Sequence, residues 1–428
     1  MNARASLRKG RCPGALAPMR TGDGLLVRLR VSGRPLSPDR AEAIADCAAR
    51  FGNGVIEVSS RANIQLRGVG EAGLADLQRR LRELRLLDAD AAAEAVRNIV
   101  ASPVADIDPR AIVDAAPIVA ALEARLGADS SLHRLPAKFG FLIDGGGALP
   151  LGDVEADIRF EAFRGEDGPR FAVALAGDGD SIAVCAPQDV SGVAAALASA
   201  FLREGRADGD APRRMRALTV AHGAAPILRA AGLAPAAPPS SLRRVAARGD
   251  FIGIQAFGAL FCVGAAPPLG RMTAEDFRLL ARQARRCSTA DIRVTPWRAL
   301  IVAGLERRGA EDLAAALAPR FIVDPGDPRL AIVACPGAPA CANAARAAPA
   351  EAFEFASSLP SGEGVALHVS GCEKGCAHGR AALFTLVSRE SGYDLVVNGK
   401  ACDKPLHTAL SGRDIPPLLA RLARSLVK

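Results

Sequence analysis

The chain has 428 residues, half of them hydrophobic and 23% charged, with a formal net charge of +8; that length exceeds one ordinary core and predicts several domains. Nearly all the positive charge is arginine, with six lysines among 54 basic residues, and arginine suits a bidentate grip on carboxylate or phosphate. The basic residues are scattered and aromatics make up only 4%, which argues against a nucleic-acid stripe, and no apolar run reaches membrane-span length. The opening MNARASLRKGRCPGALAPMR has charge but no continuous apolar segment behind it, so a signal peptide is not expected and the expected location is cytoplasmic. There the ten cysteines read as ligands, catalytic groups or core rather than disulfides.

In chain order, GLLVRLRV (24–31) reads as a strand, and Ser37 as the N-cap of a helix over PDRAEAIADCAARF. NGVIEVSS and NIQLRGV read as two strands separated by a turn around Arg61, and ADLQRRLRELRLL (75–87) as a second helix. This β-α-β-β-α order is a ferredoxin-like unit without its last strand. It returns about 236 residues later. GIQAFGALFCV (253–263) is the strand, Thr273 caps AEDFRLLARQARR, ADIRVTP and RALIVAGL pair, and AEDLAAALAPRF closes the unit. IEVSSRANIQLRG and IRVTPWRALIVAG align with a single one-residue shift, and two incomplete units predict one pseudo-symmetric sheet.

A longer mixed α/β stretch follows each copy, and in both a strand runs into a glycine turn, FLIDGG in the first and LHVSGC in the second. The expected fold is therefore α+β, with two pseudo-symmetric ferredoxin-like half-units and α/β domains. Its divisions are a half-unit with an N-terminal arm (1–90), an α/β domain (91–233), a linker (234–247) centred on APAAPPSSLRR, a second half-unit (248–320) and a second α/β domain (321–428).

Cys335 and Cys341 are spaced C-x(5)-C, and Cys372 and Cys376 C-x(3)-C, each pair at the end of an expected strand and flanked by glycine or proline. Four thiolates around an iron–sulfur cube need wide, irregular spacing because each binds a different corner. Structural zinc prefers a short gap repeated in both halves, and four unrelated core cysteines would not explain clustering within 42 residues. A 4Fe–4S cluster is the favoured reading. Of the others, Cys47, Cys185, Cys262 and Cys287 lie in helix or strand patterns and read as buried small hydrophobes. Cys12 stands in an exposed-looking context, and Cys402 shows no partner spacing.

These cysteines, together with SSRANIQLRG, RNIVASP, LPAKF and SGYDLVVNGK, resemble the sulfite and nitrite reductase superfamily over nearly the whole chain and in its order. The resemblance implies a nitrite/sulfite reductase-type α/β domain, a 4Fe–4S cluster on the four cysteines, and Cys376 bridging to a sirohaem. It also implies that Arg61, Arg97 and Lys138 are the catalytic cations, and that Asn63, Gln65 and Arg67 contact the macrocycle's carboxylates. Arg298, in the equivalent turn of the second copy, is a further candidate for a carboxylate contact.

Two departures stand out. Gly140 stands where the reductases carry a second lysine, and the C-x(3)-C insert is Glu373, Lys374 and Gly375, followed by Ala377 and His378. With the opening segment, these resemble the precorrin-3B synthase branch. What that implies is a monooxygenase of aerobic cobalamin biosynthesis, which hydroxylates precorrin-3A at the meso carbon between rings D and A and closes a γ-lactone with a neighbouring acetate. The partners implied are an anionic tetrapyrrole substrate and dioxygen.

A fully ligated cube has no open iron, so a second iron is expected, either sirohaem or a mononuclear non-haem centre. Non-haem oxygenase iron usually takes two histidines and a carboxylate; His378 is the best-placed candidate, His133 a weaker one, and His368 reads as core. No facial triad is legible. Nor is a dinucleotide fingerprint, since GDGLL (22–26) and GDGDS (177–181) lack the spacing, so NADH as ultimate donor would act through a separate reductase. The alternatives are a sirohaem-dependent sulfite or nitrite reductase and a non-catalytic iron–sulfur carrier or tetrapyrrole-binding protein.

Overall fold

The computed structural model describes residues 12–178, 182–205, 214–237, 242, 244–287, 290–355, 359 and 364–426. Residues 1–11 of the expected arm, 238–241 and 243 of the linker, and the end of GDGDS lie outside the described residues. Among the described residues no helix is long and apolar enough to cross a membrane.

The first half-unit contains β1 (Met19–Thr21), β2 (Gly24–Arg30), α1 (Pro38–Phe51), β3 (Val55–Val58), β4 (Asn63–Val69) and α2 (Leu74–Glu83). Ser37 caps α1 as expected, its side chain accepting the Arg40 N–H, with Pro38 in the first turn. α2 ends at Glu83, short of the expected 87. β1 carries no apolar alternation and escaped the sequence reading; it forms a hairpin with β2 through the pair Thr21–Gly24.

The second half-unit contains β10 (Gly253–Phe257), β11 (Leu260–Ala265), β12 (Arg271–Thr273), α9 (Ala274–Arg285), β13 (Asp291–Val294), β14 (Leu300–Leu305) and α10 (Arg307–Leu317). Thr273 and Asp276 form a capping box on α9. The single strand expected over 253–263 is a hairpin instead. It turns at Gly258, whose φ of +67° favours glycine.

The two halves do not merge into one sheet, as expected, but form two: β1-β2-β4-β3-β12 and β10-β11-β14-β13. They are linked by reciprocal exchange. The residues just before each helix pair with the other half, β12 on β3 and Leu36 on Ile292, with N–H···O distances of 2.8 and 2.9 Å. Short segments suffice because burial does the rest: Leu29, Ile56 and Ile64 share one core with Phe277, Ile292 and Leu300. The turns after β3 and β13 superimpose without a gap. Ser59 N–H bonds Asn63 O as Thr295 N–H bonds Ala299 O, and the left-handed residues are Ala62 and Arg298. The one-residue shift therefore lies in the arginine alone, and Trp297 occupies the place of Arg61.

Each half-unit is followed by an α/β domain of the same topology. The first contains α3 (Ala91–Val96), β5 (Ile99–Ala101), α4 (Ala116–Ala128), β6 (Phe141–Asp144), β7 (Ile158–Gly165), β8 (Gly168–Leu175), β9 (Ile182–Cys185), α5 (Val190–Glu204), α6 (Met215–His222) and α7 (Ala224–Ala230), with α8 (Arg248–Phe251) after the linker. The second contains β15 (Ile332–Ala334), α11 (Ala348–Glu354), β16 (Leu367–Ser370), β17 (Ala382–Arg389), β18 (Gly392–Gly399), β19 (His407–Leu410) and α12 (Ile415–Leu426). In both sheets the strands run in chain order. The first three are parallel and the rest antiparallel.

Candidate functional site

Cys335 follows β15 and Cys372 follows β16. The Cys335 sulfur accepts the Gly371 N–H at 3.0 Å, and burial, opposed by that hydrogen bond, raises its thiol pKa, with Cys341 and Cys372 close enough to push it further. A Cβ on Gly371 would stand 2.5 Å from Ala344 Cβ and 3.2 Å from the Cys335 sulfur, and one on Gly337 would stand 2.4 Å from Ala348 N. Both glycines are therefore needed for the loops to close around the thiols. Cys341 and Cys372 are half-buried and Cys376 exposed. Four soft sulfur ligands in two glycine-tight loops fit an iron–sulfur cluster.

The first α/β domain shows the same backbone without the thiols. Ser102 occupies the position of Cys335: its N–H bonds Ile143 O as Cys335 N–H bonds Val369 O, and its Oγ accepts Gly145 N–H at 2.9 Å. Asp144 then hydrogen-bonds Ser102. All ten cysteines are free of disulfides. Cys47, Cys185 and Cys262 are buried as expected, with thiol pKa values pushed up by burial to about 11, 12 and 12. Cys287 is only half-buried.

The second feature is the outer face of the β2–β4 sheet. Alternation puts Val27, Leu29, Ile64 and Leu66 in the core and Arg28, Arg30, Asn63, Gln65 and Arg67 on the opposite face. That face is largely buried as well, leaving Arg30 and Arg67 only 6% and 2% exposed. Arg67 is satisfied, with Asp23 held bidentately at 3.0 and 2.9 Å, Glu57 at 3.3 Å and the Ala340 carbonyl at 3.3 Å. Burial alone would lower its pKa; Glu57 and Asp23 outweigh it. Gln65 donates to Glu57 and accepts from Arg28. By contrast Arg28 Nε, Arg30 Nε and Nη1, and Arg61 Nη1 are buried without a hydrogen-bond partner. Burial lowers the Arg30 pKa to about 10 and lowers that of Arg61. Unpaired buried guanidinium nitrogens are costly, and several on one face fit a polyanionic ligand.

A narrow cleft opens beside them, lined by Arg61, Asn63, Asn98, Gly140, Glu155 and Arg214 among others. Arg61 Nη2 is steadied by the Lys138 carbonyl at 3.3 Å. Arg214 is anchored through Nε by Asp157 at 2.9 and 3.0 Å, and the same carboxylate accepts the Gly140 N–H at 2.9 Å. Asn98 spends its amide N–H groups on the Ala95, Ala137 and Phe139 carbonyls, leaving Oδ1 without a partner. Gly140 is not required by the backbone, since a Cβ there would meet nothing nearer than Asn98 O at 3.4 Å.

Of the expected cations, Arg61 lines this cleft, whereas Arg97 and Lys138 do not. Arg97 bonds Asp88 at 2.6 and 2.8 Å, Glu123 at 2.7 Å and the Arg30 carbonyl at 3.2 Å. Arg97→Ala strips one partner from buried Glu123 and is expected to cost about 3–5 kcal/mol, read as a fall in the urea midpoint. Unchanged stability with lost turnover would return Arg97 to a catalytic role. Arg298 is half-buried and reaches the Ala377 carbonyl at 2.8 Å, so it braces the residue after Cys376. His378 is half-buried, its Nε2 3.4 Å from Ala381 O. His133 lies 3.1 Å from Leu126 O. Among the described residues no three of His, Cys, Asp and Glu converge on one metal ion. Sequence reasoning missed Arg28, Arg30, Asn98 and Arg214; the alternation in LLVRLR carries the signal for the first two.

Residues 17–84 and 255–320 match the nitrite/sulfite reductase ferredoxin-like half domain. Residues 92–234 match the nitrite and sulphite reductase 4Fe-4S domain, although the clustered cysteines lie in the second α/β domain. Precorrin-3B synthase of a Sinorhizobium species is 33% identical over 98% of this chain and 89% of its own length. A ferredoxin–nitrite reductase of Synechococcus elongatus is 26% identical over 93% and 85%. The solved Mycobacterium tuberculosis NirA protein shares the fold at a TM-score of 0.75, with 19% identity over 94% of this chain and 80% of that one. This chain is an oxidoreductase of the nitrite/sulfite reductase family and belongs to its precorrin-3B synthase branch.

Proposed function

We propose that this protein catalyses the oxygen-dependent hydroxylation of precorrin-3A at the meso carbon between rings D and A, with γ-lactone formation, in aerobic cobalamin biosynthesis. One atom of dioxygen enters the macrocycle and the other leaves as water, with two electrons drawn ultimately from NADH through a separate reductase. Cys335, Cys341, Cys372 and Cys376 would hold the cluster, which would supply single electrons. A second iron, non-haem or sirohaem, is also called for, and for it no three of His, Cys, Asp and Glu converge among the described residues.

The observation that carries this reading is the arginine face. Arg28 Nε, Arg30 Nε and Arg61 Nη1 are buried donors without a hydrogen-bond partner, although Arg30 is ion-paired with Glu94 at 3.5 Å, and precorrin-3A is rich in acetate and propionate arms. Charge-assisted hydrogen bonds of about 1.5–3 kcal/mol each offset the desolvation of those carboxylates. Arg214, fixed by Asp157, adds a cation at the cleft. A simple electron carrier has no use for such a face. Gly140 supports the oxygenase over the sirohaem-dependent reductase, because a lysine at that wall would serve a small oxyanion and this chain has none there.

The test is incubation of the iron-loaded protein with precorrin-3A, a reductant and ¹⁸O₂. A mass gain of one labelled oxygen supports the reading. A sharp sirohaem spectrum in acid–acetone extracts, with sulfite or nitrite reduced instead, replaces it with the reductase. Arg61→Ala is expected to weaken macrocycle binding about tenfold or more while leaving iron and sulfide content unchanged, since one charge-assisted bond is lost. Loss of iron would show the arginine to be structural.

A further inference from the structure

His368 lies in the middle of β16, which is flanked on both sides by parallel neighbours through Val333 and Thr385. Leu367 and Val369 point into the apolar core, so alternation turns His368 to the opposite face of the sheet. There it is 0% exposed, yet neither ring nitrogen has a hydrogen-bond partner. The nearest hydroxyl on the adjoining strand, that of Thr385, is given to the Gly399 carbonyl at 2.8 Å. A buried donor left unpaired is costly, and native folds retain few of them.

The surroundings of the ring say what it faces. A Cβ on Gly375 would stand 3.7 Å from His368 Cε1, so the imidazole lies against the residue preceding Cys376. The His378 ring, two residues beyond Cys376, packs on it edge to face at 5.7 Å. Arg298 closes the same pocket by bonding the Ala377 carbonyl. The ring is thus buried beneath the Cys372–Cys376 loop. A neutral imidazole there carries one N–H and one lone pair.

We propose that His368 donates its ring N–H to a sulfur on the Cys372–Cys376 side of the iron–sulfur cluster and so raises the cluster's reduction potential. The inference rests on the assignment of the cluster to the four cysteines. Hydrogen bonds to cluster sulfurs are one of the protein's levers on potential: they stabilise the more negative, reduced state. His368 is a tuning residue, with no contact to the reacting macrocycle required of it.

The test uses the full chain, anaerobically loaded with iron and sulfide, and reads the reduced cluster rather than turnover. With ¹⁵N-histidine incorporated, pulsed EPR of the unmutated protein is expected to show hyperfine coupling to one imidazole nitrogen. That coupling survives His378→Gln and disappears in His368→Leu. In a potentiometric titration His368→Leu is expected to reduce at more negative potential with full iron and sulfide content, and His368→Gln, which keeps a donor, to recover part of the shift. A loaded, unmutated cluster without nitrogen coupling overturns the proposal even if His368→Leu fails to hold iron. An unchanged potential in a fully loaded His368→Leu protein overturns it as well. Failure of the cluster assignment itself is read separately, as a Cys372→Ser protein that keeps its iron and sulfide.

Discussion

Cys372→Ser is expected to abolish both the broad iron–sulfur absorbance and all turnover while leaving the fold intact. Cys372 begins the loop after β16, where its carbonyl accepts the Ser370 hydroxyl at 2.7 Å and its sulfur lies near enough to Cys335 to influence that thiol's ionisation. Serine keeps the backbone contacts and replaces only the soft ligand. The apolar core of this domain, with Phe355, Leu367, Phe384 and Tyr393, contains no part of residue 372. The melting temperature of the metal-free variant should therefore match that of metal-free wild type. Iron and sulfide analysis checks the prediction: undiminished content with retained activity would show that these cysteines do not hold the cluster.

Gly140→Lys is the second large effect expected. Space for a Cβ exists, 3.4 Å from Asn98 O and 3.9 Å from Lys138 O, so the variant should fold with nearly wild-type stability. The added chain leaves the backbone at the wall of the cleft formed with Arg61, Asn63 and Arg214. It brings a cation beside two guanidinium groups and takes volume from the ligand. A misplacement of the bound macrocycle by about 1 Å costs roughly 100-fold in rate, and that is the loss expected in kcat/KM for precorrin-3A. Mass spectrometry of the product and a thermal melt together decide it. Wild-type turnover in a folded Gly140→Lys protein would remove the cleft from the site, and new binding of sulfite or nitrite would show that the missing lysine alone separates the two chemistries.

Several parts of the fold were readable because their causes are local. Ser37 and Thr273 announce helices since capping needs only a side-chain oxygen and the next three residues. The half-unit repeat shows in the alternation of β4 and β14. Other parts carried no such signal. β1 is three residues, MRT, too short for a period, and the β10–β11 hairpin turns at a glycine within an apolar run that reads continuously as one strand. The expectation of a single sheet failed because register between distant segments is set by the shared core under α1 and α9, which no window of sequence contains.

The candidate site divides along the same line. Sequence alone singled out the four thiols as candidate ligands, because their spacing along two strand–turns is a local pattern. The alternation in LLVRLR carries a signal that puts Arg28 and Arg30 on the outer face of β2, but that signal went unread. Only the tertiary structure decided which arginines remain available. Arg67 meets Asp23 and Glu57, and Arg97 meets Asp88 and Glu123. Arg28 and Arg61 each keep a buried nitrogen without a hydrogen-bond partner, and Arg30, ion-paired with Glu94, keeps its Nε so. The difference is one of partners: a guanidinium reads the same in every sequence, but its availability depends on carboxylates and carbonyls brought from other elements of the chain. Desolvation makes that difference matter, because a buried cation is held only where something answers its charge.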